Sequence, residues 1–194
     1  MAFAHYVYSK IEVIPMKRSL LACSLLAATF GMSVAHAADG TINFTGEISG
    51  QTCTTTVNGS ATPTVILPKV STASLAAVGA TGGATTFNIA LSRCVGAIAT
   101  AAAYFEAGPG VDPVTRNIRN TATGASAATG VQFQLLDAAG QVIRAGETTQ
   151  TSTTERTAVT ASAATMPYSV RYITTAAATA GTVVGSVTYS INYQ

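Results

Sequence analysis

The chain has 194 residues, 48% of them hydrophobic and only 9% charged, with a formal net charge of +2. That length suits one domain with a sizeable core, and a charge so sparse and balanced excludes the basic face that nucleic acid binding requires. Two histidines and three cysteines in all leave histidine-based triads and metal-ligand sets little to draw on.

Residues 1–37 read as a leader outside the fold. Met16-Lys17-Arg18 is basic, residues 20–30 are mostly apolar, and Ala35-His36-Ala37 is an A-x-A cleavage site, which is the order of a secretory signal peptide. The apolar run is too short for a spanning helix. Residues 1–15 fit this unit poorly, so Met16 is the expected start of translation. Cys23 loosely resembles a lipoprotein acylation site, but it follows Arg18 too closely to leave an apolar segment upstream of a cut, and lipidation is not expected.

Cleavage after Ala37 removes His5 and His36 and leaves Cys53 and Cys94. The seven basic and seven acidic residues from Asp39 onward then cancel. An even cysteine pair in an exported chain reads as a disulfide. A link across 41 positions would restrict the unfolded chain by about 4 kcal/mol on chain-entropy grounds. The rival reading, free thiols or metal ligands, has no histidine to complete a metal set. No catalytic, cofactor or metal site is expected. The carboxylates are scattered, and Gly79-Ala-Thr-Gly-Gly83 lacks the Lys-Ser/Thr that completes a phosphate loop.

The next stretch, Asp39-Gly-Thr-Ile-Asn-Phe-Thr-Gly-Glu-Ile48, alternates strictly. Gly40, Ile42, Phe44, Gly46 and Ile48 share one parity and polar residues take the other, so one face of an extended chain is small and apolar. It predicts a strand that needs a sheet, its own or a neighbour's. Cys53-Thr-Thr-Thr-Val57 is β-prone and ends at Asn58-Gly59, a strong turn signal. Val65-Ile-Leu67 lies between Pro63 and Pro68 and is confined to a short or edge strand. Residues 70–75 predict one helical turn, and the glycines at 79, 82 and 83 argue against a long helix.

Strand returns at 86–94, with Phe87, Ile89 and Leu91 facing one way, and at 101–106. Gly108-Pro-Gly-Val-Asp-Pro113 then breaks it. Residues 117–130 predict loop enclosing one short strand. Val131-Gln-Phe-Gln-Leu135 points Val131, Phe133 and Leu135 inward, and turns through Ala138-Ala-Gly140 into Gln141-Val-Ile-Arg144 as a hairpin. Residues 146–157 predict a polar connection. Residues 166–173 form a strand with Tyr168, Val170 and Tyr172 on one face, followed by an alanine-rich link to Gly181 that is helical by propensity but short. The final stretch alternates longest: Val183, Gly185, Val187, Tyr189, Ile191 and Tyr193 share a parity up to the terminal Gln194. Short strands with turns between them and no good helix predict an all-β sandwich. It lacks the tryptophan of antibody domains.

Taken in order, these residues resemble the chaperone–usher pilins, and among them the major subunits of type 1 fimbriae. The resemblance is carried by Gly40-Thr-Ile-Asn-Phe-Thr-Gly-Glu-Ile48, the spacing of Cys53 and Cys94, Thr72-Ala-Ser-Leu75 with Gly79-Ala-Thr81, Phe87-Asn-Ile-Ala-Leu91 and Gly130-Val-Gln-Phe133. Pro167-Tyr-Ser-Val-Arg-Tyr172, Gly181 fourteenth from the end, and the terminal Tyr193-Gln194 complete it. It implies an incomplete immunoglobulin-like β-sandwich lacking its last strand. A periplasmic chaperone lends that strand, and the N-terminal arm of the next subunit then replaces it by donor-strand exchange, catalysed by an outer-membrane usher. Strand addition of this kind is a known recognition mode.

The expected layout is therefore residues 1–37 as extension and signal peptide, 38–50 as donor arm and 51–194 as the sandwich. Gly40, Ile42, Phe44 and Gly46 would enter a neighbour's groove. Gly181, Val187, Tyr189, Ile191, Tyr193 and Gln194 would form the groove edge that meets chaperone or donor. The expected role is a structural subunit of an adhesive surface fimbrium, partnered by pilin subunits, chaperone and usher, and reaching host-surface glycans only indirectly. A minor adaptor subunit and a self-contained secreted carbohydrate-binding sandwich are the alternatives. The tyrosines suit a sugar platform, but most fall on inward parity. The stretches 95–103 and 117–130 match no part of the family pattern.

Overall fold

The computed structural model describes residues 42–46, 48, 50–61 and 63–194. The leader, Met16, Cys23 and Gly40 lie outside them. The chain divides into two units, Met1–Glu47 and Ile48–Gln194. Of the first, residues 42–46 carry no ladder pairing, and Ile42 and Phe44 are 78% and 87% exposed.

The second unit is built from strands β1 (Thr52–Val57), β2 (Thr81–Val95), β3 (Thr100–Phe105), β4 (Ile118–Arg119), β5 (Val131–Leu136), β6 (Val142–Ile143), β7 (Thr157–Ala158), β8 (Ala164–Thr174) and β9 (Tyr189–Tyr193). A 3₁₀ turn at Thr72–Leu75 and one helical turn, α1 (Gln150–Thr153), are the helical elements among the described residues. Two sheets form, all their pairs antiparallel: a six-stranded sheet in the order β1-β2-β8-β5-β4 with β6 also on β5, and a three-stranded sheet in the order β7-β3-β9.

Local chemistry accounts for much of this. After β1 the chain turns where Asn58 and Gly59 both take positive φ, 48° and 78°, as a tight turn of this type demands. Alternation sets the faces. Phe87, Ile89 and Leu91 of β2, Phe133 and Leu135 of β5, and Met166, Tyr168 and Val170 of β8 are buried together with Ala101, Ala103 and Phe105 of the small sheet. Tyr168 links the layers: its ring stands edge-on to Phe105 at 5.4 Å and stacks on Phe87 at 5.9 Å, geometries that suit aromatic quadrupoles. Cys53 and Cys94 form a disulfide joining β1 to β2.

Four details depart from the sequence pattern. β2 begins at Thr81 rather than 86, its ladder with β8 passing through a bulge at Gly82 and Gly83. Gly83 has φ 65°, and a Cβ there would lie 2.9 Å from the Tyr172 ring. β3 starts at Thr100, so part of the 95–103 stretch is strand. The alanine-rich link forms no helix, because its backbone is taken up elsewhere: Ala176 N–H donates to Gly130, Ala178 to Leu75 and Thr179 to Thr129. The polar faces of β5 are also covered, with Gln134 accepting from Arg171 and Gln132 from Thr115 and Asn117. The short strand expected within 117–130 is β4, and the hairpin through Gly140 (φ 77°) is β5–β6.

Candidate functional site

The core is open along one flank. A cavity of about 380 Å³ has Phe87, Phe133, Leu135 and Val170 in its floor, with Val65 and Leu67 on one wall and Val184, Val187 and Tyr189 on the other. A second hollow of about 470 Å³ lies between Lys69, Val70 and Leu75 on one side and residues 178–183 on the other. The same two stretches, 63–70 and 178–189, thus border both hollows.

Each wall has an unpaired backbone. Residues 63–70 join neither sheet and make no hydrogen bond among the described residues. Pro63 and Pro68 have no N–H to offer, which accounts for a segment of strand character that belongs to neither sheet. The opposite wall is more ordered. Gln194 and Thr100 exchange both backbone bonds, at 2.9 and 2.8 Å. In an antiparallel ladder such pairs alternate with pairs whose N–H and C=O groups point outward. Given the register Ala102↔Asn192 and Tyr104↔Ser190, Ser190, Asn192 and Gln194 face β3.

The alternation continues upstream of β9. Glu106 N–H donates to Thr188 C=O, Thr121 N–H to Val184 C=O, and Thr182 bonds Ser126 and Ala128. Val184 N–H donates to Asn120 Oδ1. Even-numbered residues are therefore tied inward along most of the stretch from 182 to 194. Val183, Gly185, Val187, Tyr189, Ile191 and Tyr193 direct their backbone groups to the open flank, with no partner among the described residues. Those same residues turn their side chains to the core, where Val183, Val187, Tyr189, Ile191 and Tyr193 pack half-buried. Burial pushes the phenol of Tyr189 up from its ordinary range. One row of residues therefore supplies both an apolar lining and a free hydrogen-bonding edge.

Two glycines permit this path. A Cβ on Gly181 would lie 2.5 Å from Ala128 N and 2.6 Å from Ser126 O, where the chain crosses the 126–128 backbone. A Cβ on Gly185 would meet Arg119 O at 2.8 Å and the Ile118 and Phe133 side chains at 2.9 and 3.0 Å.

The structure brings Gly181, Val187, Tyr189, Ile191, Tyr193 and Gln194 onto this one wall. It differs from the sequence pattern in that only 189–193 joins a ladder, while 183–188 is held by loop backbone and the Asn120 side chain. Sequence reasoning did not single out the facing wall, Val65 and Leu67, as part of the site. It also missed the close packing that Gly185 serves. The parity of Val65 and Leu67 was readable; what they face was not. Among the described residues no group of three or more His, Cys, Asp or Glu side chains is placed to hold a metal, and no helix is long and apolar enough to cross a membrane.

Comparison with known proteins places this geometry. The family model described as "FimA: Type-1 fimbrial protein, A" matches residues 67–194. The major fimbrial subunit SMF-1 of Stenotrophomonas maltophilia is 44% identical over 164 residues, which cover 82% of this chain and 95% of that protein. The F17 fimbrial protein of Escherichia coli is 39% identical over 175 residues, covering 88% and 94% respectively. Among solved structures, a chain of a chaperone–usher pilus superposes with a TM-score of 0.56 at 19% identity, over 81% of this chain and 96% of that one. At that identity the match speaks for the fold.

Proposed function

The chain belongs to the type-1 fimbrial protein family, and from that premise we propose that its subunits join by each inserting an N-terminal arm into the open flank of the next. The protein is a structural subunit of a surface fimbrium and not an enzyme. One observation carries the assembly reading: from 183 to 193 every second residue offers unpaired backbone and, Gly185 apart, a half-buried apolar side chain. A sandwich with such a flank invites strand addition.

The arm, residues 38–50, has the complementary pattern. Gly40, Ile42, Phe44 and Gly46 enter the groove, and the polar parity stays in water. Burying Ile42 and Phe44 contributes about 1.5–3 kcal/mol each before ordering costs, and ladder bonds to the odd-numbered residues add to that. A head-to-tail contact that does not close on itself propagates as a filament. Before assembly the same flank takes a strand from a periplasmic chaperone, and an outer-membrane usher carries out the replacement. Residues 16–37, with translation from Met16, direct export. Residues 51–194 form the acceptor sandwich.

A self-contained carbohydrate-binding sandwich has no use for an unpaired edge beside an apolar floor, and the tyrosines of the final strands are buried or half-buried rather than displayed. Phe44→Asp provides the test. The variant subunit is expected to fold with its chaperone and to form no fibres by electron microscopy. Normal fibres from it would overturn the reading.

A further inference from the structure

We propose that Arg156 is a positioning residue that fixes the C-terminal strand in the one register an incoming strand can use. The inference rests on the strand-insertion reading above and goes beyond it to a residue that does not touch the groove.

Arg156 lies immediately before β7, on the far side of β3 from β9. Its guanidinium reaches across β3. Nε donates to Thr100 Oγ1 at 2.9 Å and Nη2 to Thr100 C=O at 3.2 Å. Nη1 donates to Asn192 Oδ1 at 2.8 Å and Nη2 to Asn192 C=O at 2.9 Å. No carboxylate among the described residues lies within ion-pair distance of it; the ion pairs formed by Arg116, Arg119 and Arg144 are elsewhere. Burial pushes its ionisation below the ordinary range, with nearby Tyr168 opposing. A cation placed at a desolvation cost with only neutral acceptors holds geometry rather than balancing charge.

That geometry is diagonal. Thr100 lies opposite Gln194, and Asn192 lies opposite Ala102. The fork therefore spans two pairs of the ladder, an arrangement that one register supplies. β9 has a single neighbour, so fewer contacts define its register than for a central strand. A one-residue slip would turn Tyr189, Ile191 and Tyr193 to the outside and present the even-numbered backbone groups to the groove. A two-residue slip keeps parity but puts Ser190 or Gln194 beneath the guanidinium in place of Asn192.

The test uses the exported Phe44→Asp subunit, whose groove is intact and whose own arm cannot donate. A synthetic peptide of residues 38–48 is added and its uptake is timed by native mass spectrometry. Arg156→Met is expected to slow uptake about tenfold or more, the kinetic equivalent of losing a charge-assisted hydrogen bond. Arg156→Lys is expected to remain slow, because a lysine cannot form the fork. Uptake by Arg156→Met at the parent rate, with only a lowered melting temperature, would overturn the proposal and leave the residue a plain stabiliser.

If Arg156→Met does not accumulate, Asn192→Ala deletes one of the four bonds and no charge. It is expected to slow uptake by a few-fold, and the parent rate there would be equally fatal. Should the Phe44→Asp parent take up no peptide at all, the strand-insertion reading itself fails and this inference falls with it.

Discussion

The small sheet has two edges, and the protein treats them oppositely. On the β3 side, β7 pairs with Thr100 and Ala101 and then ends. Side chains take over from there. The Tyr168 hydroxyl accepts from Ala103 N–H at 2.8 Å. The Gln150 amide accepts from Phe105 N–H at 3.0 Å and donates to Phe105 C=O at 2.9 Å, so one side chain makes both bonds that a neighbouring strand would make. Gly146 N–H adds a further bond to the same carbonyl at 2.8 Å. Gln150 and Tyr168 are themselves buried. On the β9 side, the outward groups of Tyr189, Ile191 and Tyr193 have no such cover among the described residues. A fold that seals one edge with two side chains has the means to seal the other. The open edge is therefore a selective feature, and an unpaired edge is what recruits another strand.

The largest effect that separates the two edges comes from proline at neighbouring positions of β9. Asn192→Pro removes an N–H that faces β3, and is expected to cost the subunit about 3 kcal/mol or more, by analogy with proline in other hydrogen-bonded interiors. Ile191→Pro removes one that faces the groove, where edge proline is tolerated. Chemical denaturation of the Ile191→Pro subunit alone should show a clearly smaller loss than Asn192→Pro, limited to the packing of the half-buried isoleucine, while its capture of the 38–48 peptide weakens. Equal destabilisation by the two prolines would break the assignment of odd and even residues.

How much of this could be read beforehand depends on range. Alternation in 183–193 identified the inward residues because side-chain direction is a local property of extended backbone. It could not say that 183–188 would be held by loop backbone and Asn120 rather than by a strand, since that depends on residues more than sixty positions away. Val65 and Leu67 read as a short segment trapped between prolines, and their facing wall was invisible for the same reason. The sealing of β3 left no trace at all. Residues 146–157 are polar and without period, and nothing about Gln150 distinguishes it from the other polar residues around it until β3 is placed 45 positions away beside it. Gly82 and Gly83 argued against a long helix, and none forms, but that they sit in a bulge of β2 depends on the pairing with β8 and was not legible.

Opening the sealed edge is the next smaller effect. Gln150→Leu keeps the side chain's bulk and leaves Phe105 N–H without its acceptor, while Gly146 still serves the carbonyl. One orphaned buried donor costs about 2 kcal/mol. Thermal or urea unfolding of the peptide-filled subunit would measure it. Hydrogen exchange should show the Phe105 amide, slow in the wild type, exchanging at the rate of its frayed surroundings. An unchanged Phe105 amide would mean that the seal is made by α1 as a whole and not by the glutamine.

Tyr168→Phe makes the smallest opening. It deletes one hydroxyl and one bond, to Ala103 N–H, while the ring stays to pack on Phe87 and Phe105. It orphans one donor, as Gln150→Leu does, but loses none of the donated bonds that the glutamine also makes, so the expected loss is at the low end of the range for such a group, about 1 kcal/mol at neutral pH. The variant also carries a pH signature that the glutamine lacks. Burial raises the ionisation of the Tyr168 phenol above its ordinary value, with a smaller push from Asp137, against lowering by the Ala103 N–H and Arg156. The folded state thus prefers the neutral phenol. The stabilisation this represents is fully present below the unfolded-state value of about 10 and is lost as pH rises through that value towards the raised one. The wild type should consequently lose stability above pH 10 more steeply than Tyr168→Phe, and the gap between the two should narrow in that window. Parallel alkaline profiles would place the phenol's ionisation in solvent, and with it the hydroxyl away from the β3 edge it is held to close.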